Sequence, residues 1–212
     1  GGALAILASE SGSVAMAKSV IMRNNSAAAG GGAIFIKGSS LTVTHDDSTS
    51  GNSSYSFILE NNHALIGGAA YVQNSAFNTS RSSSTEFEWS SRKDGASSST
   101  SMQFFIGNNR AEKDAGAVAC IGATLHFEAM SLVNSRARNS GGGIFGVLCQ
   151  VELVLSEVNH NVAEREEGGG LYLEALSSIA AVRSMFLNNL AGKSGGAIYF
   201  KYCQNMQISR SL

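Results

Sequence analysis

The sequence predicts an all-β solenoid, a parallel β-helix of about seven coils, and three observations carry that reading. The first is a glycine-pair motif that recurs at residues 1–5 (GGALA), 31–35 (GGAIF), 67–71 (GGAAY), 115–119 (AGAVA), 141–145 (GGGIF), 168–172 (GGGLY) and 195–199 (GGAIY). Its second positions, at 2, 32, 68, 116, 142, 169 and 196, stand 30, 36, 48, 26, 27 and 27 residues apart, so the basic period is 26–27 with extra residues early. A period of that size marks a repeat array, in which each unit buries its apolar face against its neighbours. The second is an apolar-x-x-Asn motif ahead of each later glycine pair: Met22/Asn25, Leu59/Asn62, Ile106/Asn109, Val158/Asn161 and Phe186/Asn189, with Leu132/Ser135 as the variant. The third is strict alternation after each pair, the signature of a strand with one buried face.

Within one period the elements follow in order. Asparagine suits a turn because its side chain bonds backbone and tolerates left-handed dihedrals. Stacked turns let Asn25, Asn62, Asn109, Asn161 and Asn189 bond one another as a ladder, with Ser135 filling the gap. The glycine pair then bends the chain into a strand whose second and fourth positions, such as Ile34 and Ile36 or Leu171 and Leu173, face the core. The third position, Phe35, Tyr71, Phe145, Tyr172 and Tyr199, faces outward, with Ala5 and Ala119 interrupting the column. A short apolar patch about ten residues on, as in Leu125-His126-Phe127, makes about three strands per period. A propeller blade needs about 40 residues and four antiparallel strands, so the period excludes it. The early long intervals are two Ser-rich loop insertions, near 44–55 and 78–101, and the second holds Phe87 and Trp89.

Composition narrows the function. A net charge of −1 gives no basic footprint, so nucleic acid is excluded as a partner. No apolar run reaches the length of a membrane helix, so membrane association is expected only through parts outside residues 1–212, which read as one β-helix domain, a fragment of a longer chain. Further coils or protein partners are expected at both ends, because an uncapped β-helix end exposes strand edges. Among the three cysteines, Cys149 and Cys203 occupy equivalent positions two coils apart, roughly 9–10 Å, beyond the ~7 Å bridging limit. Cys120 reads as unbridged core filler, so the cysteines indicate no compartment.

The two motifs together resemble the repeats of the chlamydial polymorphic membrane proteins and of related extracellular proteins of algae and protists. Residues 186–189 (FLNN) followed by 195–198 (GGAI) reproduce both halves, and the likeness runs along the whole chain, with Ser135 and Ala115 as departures. The resemblance implies a right-handed β-helix and an extracellular or cell-surface setting.

Candidate chemistry is sparse. Asp46 and Asp47 are adjacent in an insertion; Glu164, Arg165, Glu166 and Glu167 read as a solvated cluster; Glu128, Glu152 and Glu174 stand alone on strands; His45, His63, His126 and His160 fall at different phases. No catalytic, cofactor or metal residues are therefore assigned. The outward aromatics Phe35, Tyr71, Phe145, Tyr172 and Tyr199 are the candidate binding strip, for protein or carbohydrate. The sequons at Asn24, Asn52 and Asn78 are candidate glycosylation sites, with Asn52 and Asn78 favoured as loop residues. The reading is a non-catalytic solenoid for adhesion, display or assembly of an extracellular structure; a polysaccharide-active β-helix enzyme (lyase, hydrolase or epimerase) is the alternative.

Overall fold

A computed structural model describes residues 1–17, 20–45, 57–81 and 104–210. All strand pairings among them are parallel, each strand joining its equivalent one period away, which makes the fold a parallel β-helix. Among the described residues no helix is long and apolar enough to cross a membrane.

The third to sixth coils each carry four strand segments where the sequence indicates about three. In the fourth coil they are β1 (Val118–Ile121), β2 (Thr124–Glu128), β3 (Met130–Val133) and β4 (Arg136–Ala137), the last falling beyond the Asn turn. The missed segment is β4: it is two residues long and shows no alternation. The equivalents of β1 and β2 form one sheet, because Leu4–Ala17 and Ile34–His45 run through both legs without a break. Equivalents of β3 and of β4 form two further sheets of six strands.

The coils are closed by backbone geometry that repeats at four corners, each with a residue of positive φ. One corner holds the first motif glycine, as at Gly31 (φ 65°) and Gly168 (φ 70°), with Ala115 (φ 61°) as the exception. The second lies between the two legs, at Gly38, Asn74, Gly122, Leu148, Ala175 with Leu176, and Tyr202. The third holds Ala129, Leu155, Arg183 and Arg210. The last holds Asn24, Asn61, Asn108, Asn134, His160 and Asn188. The left-handed asparagine is therefore the residue before the ladder position, a correction to the reading that gave both tasks to Asn25 and its equivalents.

The second motif glycine serves close approach. A Cβ on Gly32 would lie 2.1 Å from the Gly68 carbonyl oxygen, and one on Gly68 would lie 2.2 Å from that of Gly116, so backbone stacks directly on backbone. Inside, Ile34, Ile36, Leu41, Leu59, Phe104 and Leu125 are fully buried, and Phe77 packs edge-on against both Phe57 and Phe127.

Two further expectations are corrected. The strands continue into the polar stretches: Thr44 pairs with Ser80 and His45 with Arg81, so residues 44, 45 and 78–81 are strand, and 46–56 and 82–103 lie outside the described residues. The cysteines do form a bridge, Cys120 to Cys149, with a Cα separation of 6.2 Å. They belong to adjacent coils but not to equivalent positions, which is the pairing that a register test between equivalents overlooks. Gly146, which pairs with Cys120 across the sheet, leaves the room: a Cβ there would come 3.3 Å from Cys149 Cβ.

Candidate functional site

The residues singled out in the sequence lie in columns, one residue per coil. In the asparagine column, Asn62 Oδ1 accepts from the backbone N–H (3.0 Å) and Nδ2 (2.9 Å) of Asn25, and Asn109 Oδ1 accepts the same pair from Asn62. Asn189 Oδ1 does so for Asn161. Each Nδ2 also donates backward to the leading apolar residue of the preceding coil: Asn62 to Met22 O, Asn109 to Leu59 O, Asn161 to Leu132 O and Asn189 to Val158 O. The two halves of the apolar-x-x-Asn motif thus interlock between coils. Ser135 departs: its backbone N–H donates to Asn161 Oδ1, but its hydroxyl bonds only Val133 O, and its side chain makes no bond to Asn109. Other corners use serine in the same way, Cys149 N donating to Ser177 Oγ and Ser156 N to Ser184 Oγ. These columns are buried and structural.

The outward aromatic column stacks in two runs. Phe35 and Tyr71 lie with centroids 5.3 Å apart, and Phe145, Tyr172 and Tyr199 follow at 5.1 and 5.3 Å, while Ala119 separates the runs. The rings are not a free strip. Tyr172 is buried, and the Tyr71 ring lies against Gly30, where a Cβ would come within 3.0 Å of it. The Tyr172 hydroxyl donates to Glu174 Oε2 at 2.8 Å, and burial with that bond pushes its pKa well up.

Glu152 and Glu174, isolated in the sequence, and Glu164 and Glu166 of the charge cluster brace adjacent coils, as do Glu60 and Glu112. Glu60 pairs with Arg23 (2.7 Å), Glu152 with His126 (2.8 Å), Glu112 with His63 (2.9 Å), Glu164 with Arg136 (3.2 Å), Glu174 with Lys201 (3.9 Å), and Glu166 with Lys193. The His63 hydrogen bond holds the Glu112 carboxyl below its ordinary range, and the Glu166 bond raises Lys193. Burial raises Asp114, although its Oδ1 accepts from Ser140 N–H at 3.1 Å. His160 is a corner residue; the Glu128 backbone N–H donates to Thr79 Oγ1. Among the described residues no three His, Cys, Asp or Glu side chains gather as a metal would need.

Of the sequon asparagines, Asn24 is an exposed corner tip with φ 57°, whereas Asn78 is a half-buried strand residue between Thr42 and His126, not a loop residue. Asn52, Asp46, Asp47, Phe87 and Trp89 lie outside the described residues.

With this geometry in place, a comparison with protein families identifies the repeat. Residues 19–37 and 184–201 match the Chlamydia polymorphic membrane protein repeat, segments that run from the first coil into the second and from the sixth into the seventh. The proteins for which that repeat is named are membrane proteins of Chlamydia. No curated protein and no solved structure matches the chain.

Proposed function

We propose that the chain is a non-catalytic β-helix solenoid, extracellular or on a cell surface, that acts in adhesion, display or assembly of an extracellular structure. The observation that carries this reading is the use of the outward carboxylates: Glu60, Glu164, Glu166 and Glu174 each pair with an Arg or Lys of the neighbouring coil, and Glu112 and Glu152 each hydrogen-bond a His there. An acid held by a cationic neighbour is a poor general base, because the pairing favours its charged form and occupies its lone pairs. The Cys120–Cys149 bridge supports an oxidising compartment, since such bonds persist in secreted and surface proteins. Protein partners are the expected contacts, with carbohydrate as the second class.

The test has two arms. Antibodies against the folded chain should label intact, unpermeabilised cells of the organism that encodes it. The purified, oxidised chain, incubated with uronate polysaccharides and Ca²⁺, should yield no unsaturated product and no new reducing ends. Turnover lost in Glu152→Gln would replace this reading with the polysaccharide-active enzyme.

A further inference from the structure

The asparagine column is interrupted between the third and fourth coils, and the interruption leaves buried groups over. Asn62 and Asn161 use both Nδ2 hydrogens, one on a carbonyl of the coil before and one, beside the backbone N–H, on the Oδ1 of the coil after. Asn109 keeps only the backward bond, to Leu59 O, because the next residue in its column is Ser135. Its backbone N–H and second Nδ2 hydrogen meet no acceptor among the described residues, although Asn109 is only 1% exposed. On the far side, Asn161 Oδ1 takes the Ser135 N–H alone, whereas Asn109 Oδ1 and Asn189 Oδ1 each take two donors. Ile106 O, the equivalent of Leu59 O and Leu132 O, receives no side-chain amide among the described residues, as those two do. Buried polar groups are nearly always bonded, so two donors and two acceptors short of a partner at one corner need an explanation.

The corner cannot relax by closing up. On one side of it Phe104–Gly107 pairs with Met130–Val133, and on the other Arg110–Ala111 pairs with Arg136–Ala137, both in unbroken register. Asn109 and Ser135 are therefore held one coil apart, as the asparagines are elsewhere. Serine has two fewer heavy atoms than asparagine, and the Ser135 hydroxyl is turned to Val133 O at 3.2 Å. Two heavy atoms are about the room of one water, whose share of liquid volume is ~30 Å³. We propose that one internal water completes the column between Asn109 and Ser135. It accepts from the Asn109 N–H and Nδ2–H and donates to Ile106 O and Asn161 Oδ1, the same four bonds that a carboxamide makes in the other coils. Water suits this mixed set, since buried waters make two to four bonds to groups that lack other partners. An anion would face the two acceptors and a cation the two donors, with Asn109, Ser135, Asn161 and Ile106 all at most 1% exposed and no bulk solvent to offset the charge.

NMR of the oxidised chain tests this directly. The water resonance should give nuclear Overhauser contacts to the Asn109 N–H and Nδ2–H, with the sign of a molecule that tumbles with the protein. Ser135→Ala removes the one exchanging hydroxyl at the corner and should keep those contacts, so they cannot be relayed through it. Ser135→Asn supplies the carboxamide and should abolish them, and oxygen-17 relaxation dispersion should then count one long-lived water fewer while the amide spectrum of the other coils is retained. The wild-type measurement needs no variant, so the proposal stays open to refutation even where a substitution disturbs the fold. An Asn109 without a water contact in the wild type, a contact that survives in Ser135→Asn, or an Asn109 amide shift that titrates with chloride would overturn it.

Discussion

Asn161→Ala tests the column that ties the coils together. Asn161 is fully buried; its Oδ1 takes the Ser135 N–H at 3.0 Å, and its Nδ2 donates to Leu132 O at 3.0 Å and to Asn189 Oδ1 at 3.1 Å. Alanine leaves the Ser135 donor and the Leu132 acceptor without that partner, in a place bulk solvent does not reach. Each buried group orphaned in this way costs about 1–3 kcal/mol, which gives roughly 2–6 kcal/mol in all. At about 2–4 °C per kcal/mol for a chain of this size, the melting temperature should fall by on the order of 5–15 °C. Stability is not uniform along a solenoid, so amide exchange is the sharper assay: the Ser135 N–H should lose protection while amides two coils away keep theirs. Asn134→Gly, one residue away at a left-handed corner, is the control and should be neutral or stabilising. Asp at 161 keeps an acceptor for Ser135 but turns a carboxylate toward Leu132 O and Asn189 Oδ1. Its folded pKa must therefore rise above the ordinary ~3.9, so Asn161→Asp should be nearest to wild type below about pH 4 and lose stability as pH climbs. An Asn161→Ala loss no larger than about 0.5 kcal/mol, or exchange that rises uniformly, would refute the assignment of the column as the tie between coils.

Further outcomes follow from the same geometry. Ser135→Asn restores the missing rung and should add about 1 kcal/mol, read from a denaturant midpoint. Ala115→Gly should stabilise by about 1 kcal/mol, since the Ala115 φ of 61° favours glycine, while Gly68→Ala should prevent the native stack from forming because its Cβ would meet the Gly116 carbonyl at 2.2 Å. Reducing the Cys120–Cys149 bridge, or Cys149→Ala, should cost about 2–4 kcal/mol in thermal or chemical melts. Asp114→Asn keeps the acceptor for Ser140 N–H without the charge. The folded Asp114 pKa is raised by burial, so Asp114 is favoured at low pH and its ionised form disfavoured as pH rises; the variant should gain stability at neutral pH and lose that advantage below about pH 4.

The period and both motifs were legible because glycine and asparagine sit where backbone geometry admits few other residues, and that geometry recurs in every coil. The division of labour within the Asn pairs was not. In Asn24-Asn25, Asn61-Asn62, Asn108-Asn109 and Asn188-Asn189 two identical residues take different tasks, and only the φ values separate them. The coil with Asn134-Ser135 held the clue, since there the corner kept its asparagine and the ladder did not. The bridge left a trace in Gly146, a glycine in a core column otherwise filled by larger residues, including Cys120. Residues 78–80, Asn-Thr-Ser, read as loop because they are polar, yet they face both ways on a strand: Thr79 is buried and its hydroxyl serves the Glu128 N–H. The corner at Leu148, Leu176 and Tyr202 ran against propensity altogether, as leucine and tyrosine give no sign of a left-handed conformation. The acids were visible as residues, but their partners one period away became evident only when the coils were stacked.

The asparagine column also has a direction. Each side-chain amide reaches back to a carbonyl of the coil made before it and presents its oxygen to that same coil's N–H, so every rung is completed by the later coil and by none earlier. A chain that emerges N-terminus first can therefore lock coil upon coil as it is delivered, each new turn closing the open bonds of the last. Once a turn has docked, sliding back means breaking a buried pair of bonds.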